Sequence, residues 1–346
     1  MNIVFAIPTW NRAEKLERCV RTIAGRIAEE APTASIFVSD NASNDHTPEV
    51  LQKLQNEYEC LTFVRKNEHG DLFTNMNNLL SQASGDYIWL FGDDDILHVG
   101  ALQQVNQVLE QHNPEVCCVG NAWFSPHTGM VIQGTLLQIM SRLGFNQSVS
   151  FISADIISAN VQKKIIELDL LKHYEKDAFA HVASLLHIAA DNKALYVDIP
   201  AVSPMEAQTQ LDLQRWAEAK TEQRYYYFID SLQQLMDEGI IPRKLPQGFF
   251  RYLNFNLWDR FLLQMLSSAV KGAEFVPDGW QYIRRLADML DNTELSKLIH
   301  VSVDAALAMV ALHQQAVAQA NFTLNELNKL ANHINKAVYP NQFFSM

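Results

Sequence analysis

Tyr87-Ile88-Trp89-Leu90-Phe91-Gly92-Asp93-Asp94-Asp95 decides how this chain folds. Five apolar residues, a glycine and three carboxylates are the pattern of a strand buried on both faces that ends abruptly at a polar edge. Just before it, Leu72, Met76, Leu79 and Ala83 recur at helical spacing. Just after it, Leu102, Val105 and Leu109 do the same and lead into the apolar run Val116 to Val119. The alternation continues toward the N-terminus. Ile3 to Ile7, Ser35 to Ser39 and Leu61 to Val64 read as strands. Between them lie a helix carrying Leu16, Val20, Ile23 and Ile27 and another carrying Val50, Leu51 and Leu54. Asn11 with Glu14 predicts a capping box for the first helix; Thr47 and Pro48 predict a cap and first turn for the second. Strands alternating with helices predict a mostly parallel, layered α/β sheet.

Residues 121–200 are less regular, with a helix expected over Phe179 to Ala190 and a short strand over Ala194 to Val197. Beyond Pro204 the pattern is of polar-faced helices with almost no strand signal. A boundary near residues 199–206, where Pro200 and Pro204 fall, gives two expected domains. These are an α/β domain over 1–200 and a mainly helical domain over 201–346, the second for binding or oligomerisation.

The 346 residues are 48% hydrophobic and 19% charged, enough for sizeable cores and unlike a disordered chain. Lys and Arg number 27 against 39 Asp and Glu, a formal charge of 27 − 39 = −12, the wrong sign for gripping nucleic acid across a broad surface. Cys19, Cys60, Cys117 and Cys118 form no C-x-x-C pair and read as core thiols of a reducing compartment. No secretion signal and no uninterrupted apolar run of about 18 residues is present, so a cytoplasmic chain without a transmembrane segment is expected.

In an open α/β sheet, ligands bind beyond the carboxyl ends of the strands. Those positions here are Pro8-Thr9-Trp10-Asn11-Arg12, Asp40-Asn41-Ala42-Ser43-Asn44-Asp45, Asn67-Glu68-His69-Gly70-Asp71 and Asp93-Asp94-Asp95. Three successive carboxylates repel one another, and a hard divalent cation resolves the conflict. Alternation along an extended segment points Asp93 and Asp95 to one side and Asp94 to the other. Neither a P-loop nor a dinucleotide glycine fingerprint follows any strand. A diphosphate can still be held through Mg²⁺ or Mn²⁺ on carboxylates, which fits a nucleotide-sugar donor.

Ile-Pro-Thr-Trp-Asn-Arg at 7–12, Ser-Asp-Asn-Ala-Ser-Asn-Asp-His-Thr-Pro at 39–48 and Ala-Ser-Gly-Asp-Tyr-Ile-Trp-Leu-Phe-Gly-Asp-Asp-Asp at 83–95 resemble family 2 glycosyltransferases of GT-A fold. The branch is the one that includes bacterial O-antigen and abequosyl-type transferases. The resemblance is strong over roughly residues 1–120, loose to 200 and slight beyond. It implies a Rossmann-like, mostly parallel sheet flanked by helices and an inverting, metal-dependent sugar transfer in surface polysaccharide biosynthesis. Pro8, Thr9 and Arg12 correspond to the loop that wraps the nucleotide, and Asp40 to the aspartate that bonds the base. Asn41 stands where many members have a second aspartate. Asp93 and Asp95, with Asp94 between them, correspond to the D-x-D motif that touches the ribose and binds Mn²⁺ or Mg²⁺. A UDP-sugar is the favoured donor, with other nucleotides open, and the acceptor is a glycan or a lipid-linked glycan.

An inverting transfer needs a general base for the acceptor hydroxyl. The family's carboxylate at this distance from the D-x-D corresponds to Asp177, with Glu175 and Asp155 behind it. His181, one turn into the following helix, is a third metal-ligand candidate. The enzyme alternative is a sugar-phosphate nucleotidyltransferase, and the non-enzyme alternative is a catalytically weak nucleotide-binding scaffold of a glycan-assembly complex. Pro242 to Leu266 sets Arg243, Lys244, Arg251 and Arg260 beside an aromatic helical face. That face is either core packing or an acceptor or peripheral membrane contact.

Overall fold

The computed structural model describes residues 1–122, 127–177, 179–205, 221–252, 255–256 and 279–318. The apolar run that opens the chain forms β1 (Ile3–Thr9), a strand with parallel neighbours on both sides. These are β2 (Ser35–Asp40), itself paired with β3 (Leu61–Arg65), and β4 (Tyr87–Leu90). β5 (Asp95–Leu97), β6 (Val116–Asn121), β7 (Val131–Thr135), β8 (Asp155–Ser158) and β9 (Lys193–Pro204) complete a nine-stranded sheet. Its order is β3-β2-β1-β4-β8-β6-β9-β5, with β7 also on β9. β1, β2, β3, β4, β6 and β9 run one way, as expected; β5, β7 and β8 run the other.

Helices α1 (Ala13–Glu30), α2 (Thr47–Glu57), α3 (Leu72–Gln82) and α4 (Ala101–His112) connect the first strands. α1 buries Leu16, Cys19, Val20, Ile23 and Ile27, the face its spacing predicts. Under it the rings of Phe5 and Trp89 stack at 4.9 Å, and Phe91 packs edge-on to both. Cys19, Cys117 and Cys118 are buried free thiols.

The predicted caps do not form. Asn11 adopts φ 52°, and Arg12, the N-cap of α1, makes no side-chain cap bond; Ala13 N donates instead to Asp45 Oδ2 at 3.4 Å. Thr47 falls inside α2 after His46, and its Oγ1 accepts from the Arg12 N–H at 3.2 Å. Both polar side chains are taken by the neighbouring loop instead of by their own helix. The short strand expected at Ala194 to Val197 is the twelve-residue β9, which continues through Pro200.

α5 (Leu136–Leu143), α6 (Phe145–Ser148), α7 (Ala159–Glu167), α8 (Leu170–His173) and α9 (Ala180–Ala189) follow. α10 (Thr221–Asp237) packs against α9, and its Tyr225 and Phe228 join Phe145 and Phe179 in one aromatic cluster. That cluster ties α10 to α6 and to Phe179 ahead of α9, inside the compact unit Met1–Ile241. The second unit, Pro242–Met346, contains α11 (Gly279–Asp288), α12 (Thr293–Ala318) and the antiparallel pair β10 (Arg251–Tyr252) and β11 (Phe255–Asn256). Within Pro242 to Leu266, Phe249 and Phe250 are core, and Arg243 and Lys244 are exposed. The aromatic face and Arg260 beyond lie outside the described residues. Among the described residues no helix is long and apolar enough to cross a membrane.

Trp89 is fully buried and its indole N–H donates to the Ser153 carbonyl at 2.9 Å. Trp89→Ala should cost about 3–5 kcal/mol through the cavity and the orphaned carbonyl, read as a lowered urea midpoint. An unchanged midpoint would place the centre of the core elsewhere.

Candidate active site

The carboxyl ends of β1, β2 and β4, with the loop after β3, enclose a cleft of about 340 Å³. It is lined by Pro8, Thr9, Trp10, Arg12, Asn41, His69, Gly70, Asp71, Leu72, Asn75 and Asp93. Two loops form its floor by exchanging backbone bonds. Asn41 N donates to Thr9 O at 3.0 Å, Asn11 N to Ser43 Oγ at 2.9 Å, and Asn44 N to Asn11 Oδ1 at 2.8 Å. Asp40 is fully buried, accepting from Ser43 N at 3.0 Å with Arg65 Nε 3.3 Å from its other oxygen. It shapes the loop beneath the cleft and is not part of the lining.

Asn41 does line the cleft, but its amide is committed to Gly70. Nδ2 donates to Gly70 O at 2.7 Å and Oδ1 accepts from Gly70 N at 3.0 Å, which locks the β3–α3 loop to the end of β2. His69 follows that loop. Its ring stacks on Trp10 at 4.2 Å, and Trp10 is 47% exposed at the mouth. Sequence reasoning gave His69 no role. An aromatic residue directly after β1 was the available signal, because rings at a strand end have no core to fill.

The three aspartates separate. Asp93 lines the cleft, 8% exposed, and its Oδ2 accepts from Thr9 Oγ1 at 2.7 Å while Arg12 Nη1 stands 3.5 Å from its Oδ1. Asp94 turns toward α1, where it bonds Arg12 and lies 3.8 Å from Lys15 Nζ. Asp95 is 4% exposed and accepts from the Ser153 hydroxyl, whose oxygen in turn accepts from Gly92 N at 2.7 Å. A Cβ on Gly92 would stand 2.5 Å from Asp95 Oδ2, so the glycine leaves room for that carboxylate. Burial, reinforced by Asp94, pushes Asp93 up to about 6 against the pull of Arg12 and Thr9. Burial likewise pushes Asp95 up to about 7, with Asp94 and Asp93 adding to it and Ser153 opposing.

Such a pair is the donor set that a hard divalent cation stabilises, with its remaining positions supplied by phosphate oxygens and water. Among the described residues no three His, Cys, Asp or Glu side chains converge to hold an ion by themselves.

The other candidates stand apart from this lining. Asp177 is 1% exposed, accepts from Phe179 N at 2.8 Å ahead of α9, and is raised to about 7 by burial. Glu175 is exposed. Asp155 is fully buried at the head of β8, with its carboxyl raised well above the usual range. Its Oδ2 lies 3.9 Å from His181 Nε2, and burial pushes His181 down to about 4. His181 therefore faces Asp155 as a neutral ring and is not among the cleft residues.

Residues 4–151 match the family described as Glycosyl transferase family 2. The match covers less than half of the 346 residues, and over it the chain is similar to a family 2 glycosyltransferase domain. Over 120 residues, 34% of this chain and 35% of the relative, the sequence is 35% identical to the abequosyltransferase RfbV of Salmonella typhimurium. Over 197 residues, 55% of this chain and 60% of the relative, it is 26% identical to a Campylobacter jejuni GalNAc(5)-diNAcBac-PP-undecaprenol beta-1,3-glucosyltransferase. The matched stretch thus spans about a third of one curated relative and 60% of the other. S. aureus TarS 1-349 in complex with UDP-GlcNAc superposes with a TM-score of 0.60 at 16% identity, covering 93% of both chains. The mannosyltransferase PcManGT from Pyrobaculum calidifontis, in complex with GDP-Man and Mn2+, gives 0.52 at 15% identity, covering 98% of this chain and 80% of its own. At those identities the likeness is one of fold, and that fold is GT-A.

The raised carboxyls of this domain set a pH dependence. Asp93 and Asp95 keep protons when folded that an unfolded chain, with aspartates near about 4, has released. Their contribution to stability is therefore present at low pH and is lost as pH rises from about 4 through about 7. In EDTA, the melting temperature of the parent should fall more between pH 5 and pH 8 than that of Asp95→Asn. Superimposable profiles would show that Asp95 titrates normally.

Proposed function

We propose that the chain is an inverting, metal-dependent glycosyltransferase that moves a sugar from a nucleotide-sugar donor to a glycan or lipid-linked acceptor in surface polysaccharide assembly. The observation that carries this reading is Asp93, a buried carboxylate at the end of β4, held by Thr9 and facing Arg12 inside a cleft with an aromatic mouth. Support comes from the relatives, whose names are those of sugar transferases, and from structural neighbours solved with UDP-GlcNAc and with GDP-Man and Mn2+.

On this reading Trp10 and His69 flank the base, Pro8 and Thr9 wrap the nucleoside, and Asp93 accepts from the ribose. Asp40 and Asn41 act through the loops they fix. Asp93 and Asp95 would hold Mn²⁺ or Mg²⁺, which when bound would supply charge neutralisation for a departing diphosphate. A UDP-sugar is favoured, and GDP-sugars remain the main competitor. Asp177 is the proposed general base: a carboxyl raised to about 7 suits proton abstraction at neutral pH, and its Oδ2 has no hydrogen-bond partner. Asp177 is covered, so on this reading the acceptor reaches it between α9 and α10.

Thermal shift with UDP, GDP and their sugar conjugates should show stabilisation in Mn²⁺ and little in EDTA for the parent, and none in Asp95→Asn. Equal shifts in EDTA would overturn the metal requirement. Asp177→Asn should keep the nucleotide shift and lose transfer by about 10²-fold or more. A lowered melting temperature with transfer intact would reduce Asp177 to a helix cap.

A further inference from the structure

Asp94 differs from its neighbours in facing cations. Its carboxylate bonds Arg12 Nη1 and lies 3.8 Å from Lys15 Nζ, with side-chain exposures of 31%, 37% and 19% for Asp94, Arg12 and Lys15. Both sides of this contact are anchored through the backbone. Asp94 O accepts from Met205 N at 2.8 Å, and Arg12 N donates to Thr47 Oγ1 at 3.2 Å. What can rearrange is the side-chain contact itself, at the wall of the cleft where Arg12 stands beside Thr9 and Asp93.

A guanidinium is a planar fork that takes carboxylate and phosphate with the same geometry. The anion nearest Arg12 is Asp94, with Asp93 Oδ1 at 3.5 Å. A diphosphate brought into the cleft offers the same chemistry with more charge, and it meets three carboxylates against two cations. We infer that Asp94 is an internal substitute for the donor diphosphate: it occupies Arg12, backed by Lys15, and yields Arg12 when the diphosphate arrives. This inference rests on the donor-site reading above. It separates Asp94 from Asp93 and Asp95, which serve the ribose and the cation. It also gives Asp94 a use, because an anion that competes for Arg12 weakens the hold on the nucleoside diphosphate left after transfer, and product release is a common slow step.

The sign of the effect distinguishes a competitor from a ligand. Titrations at low salt and saturating Mn²⁺ would use UDP and GDP, with uridine and guanosine as phosphate-free controls. Asp94→Asn, and Asp94→Ala as a second variant, should bind the nucleoside diphosphate about 3- to 5-fold tighter than the parent, the scale of losing one part-exposed ion pair. Nucleoside affinity and the Mn²⁺ concentration at half-saturation should not move. In an Arg12→Gln background the same change should return less than half of that gain on a logarithmic scale. Weaker or unchanged diphosphate binding, a raised Mn²⁺ requirement, or an equal gain without Arg12 would each overturn the inference. A parent chain that binds neither UDP nor GDP in Mn²⁺ would instead overturn the donor site itself, and the inference with it.

Discussion

The contact between Thr9 Oγ1 and Asp93 Oδ2, 2.7 Å long and buried, joins the end of β1 to the end of β4. A carboxylate taken out of water is costly unless hydrogen bonds and opposite charge surround it. The groups around Asp93 and Asp95 are arranged to meet that requirement. Arg12 arrives from the N-terminus of α1, Ser153 from the turn before β8, and Gly92 withholds a side chain where Asp95 must lie. The requirement is met only in part, since both carboxyls are raised by burial despite these partners. That residual cost is the physical reason for reading the site as built for a cation.

The loops that carry these side chains are held by each other more than by their helices. Asn11, Ser43, Thr47 and Asn41 each spend a polar atom on a neighbouring loop. Those bonds lock the β1, β2 and β3 loops together around the cleft. Trp10 is half-exposed at its mouth, stacked on His69.

Much of the first half was legible in the sequence because strands buried on both faces write unbroken apolar runs, and α1 to α4 repeat at helical spacing. Two kinds of feature were not. β8 is Asp155-Ile-Ile-Ser, too short and too polar at its start to be read as the antiparallel strand that separates β4 from β6. The caps failed because Asn11 and Thr47 satisfy long-range partners, which local spacing cannot reveal. Within the candidate site, Thr9, Arg12, Asn41 and Asp93 came together as their strand-end positions implied. Asp40 lies beneath the cleft, and Asp155 with His181 forms a buried polar pair away from it. A carboxyl in a sequence looks the same whether it faces solvent, a cleft or the core. The break at Ile241 was hidden for a related reason: the aromatic residues of α10 complete a cluster begun by Phe145, more than seventy positions earlier.

The central claim is that the buried carboxylates at the end of β4 hold a nucleotide through a shared cation. A crystal structure grown with Mn²⁺ and either UDP or GDP, with anomalous data collected for manganese, tests it most directly. The account predicts one strong anomalous peak at metal–oxygen bonding distance from the Asp95 or Asp93 carboxylate and from a diphosphate oxygen, with the base beside Trp10. A nucleotide bound elsewhere, or bound in this cleft with the manganese away from both aspartates, would contradict it.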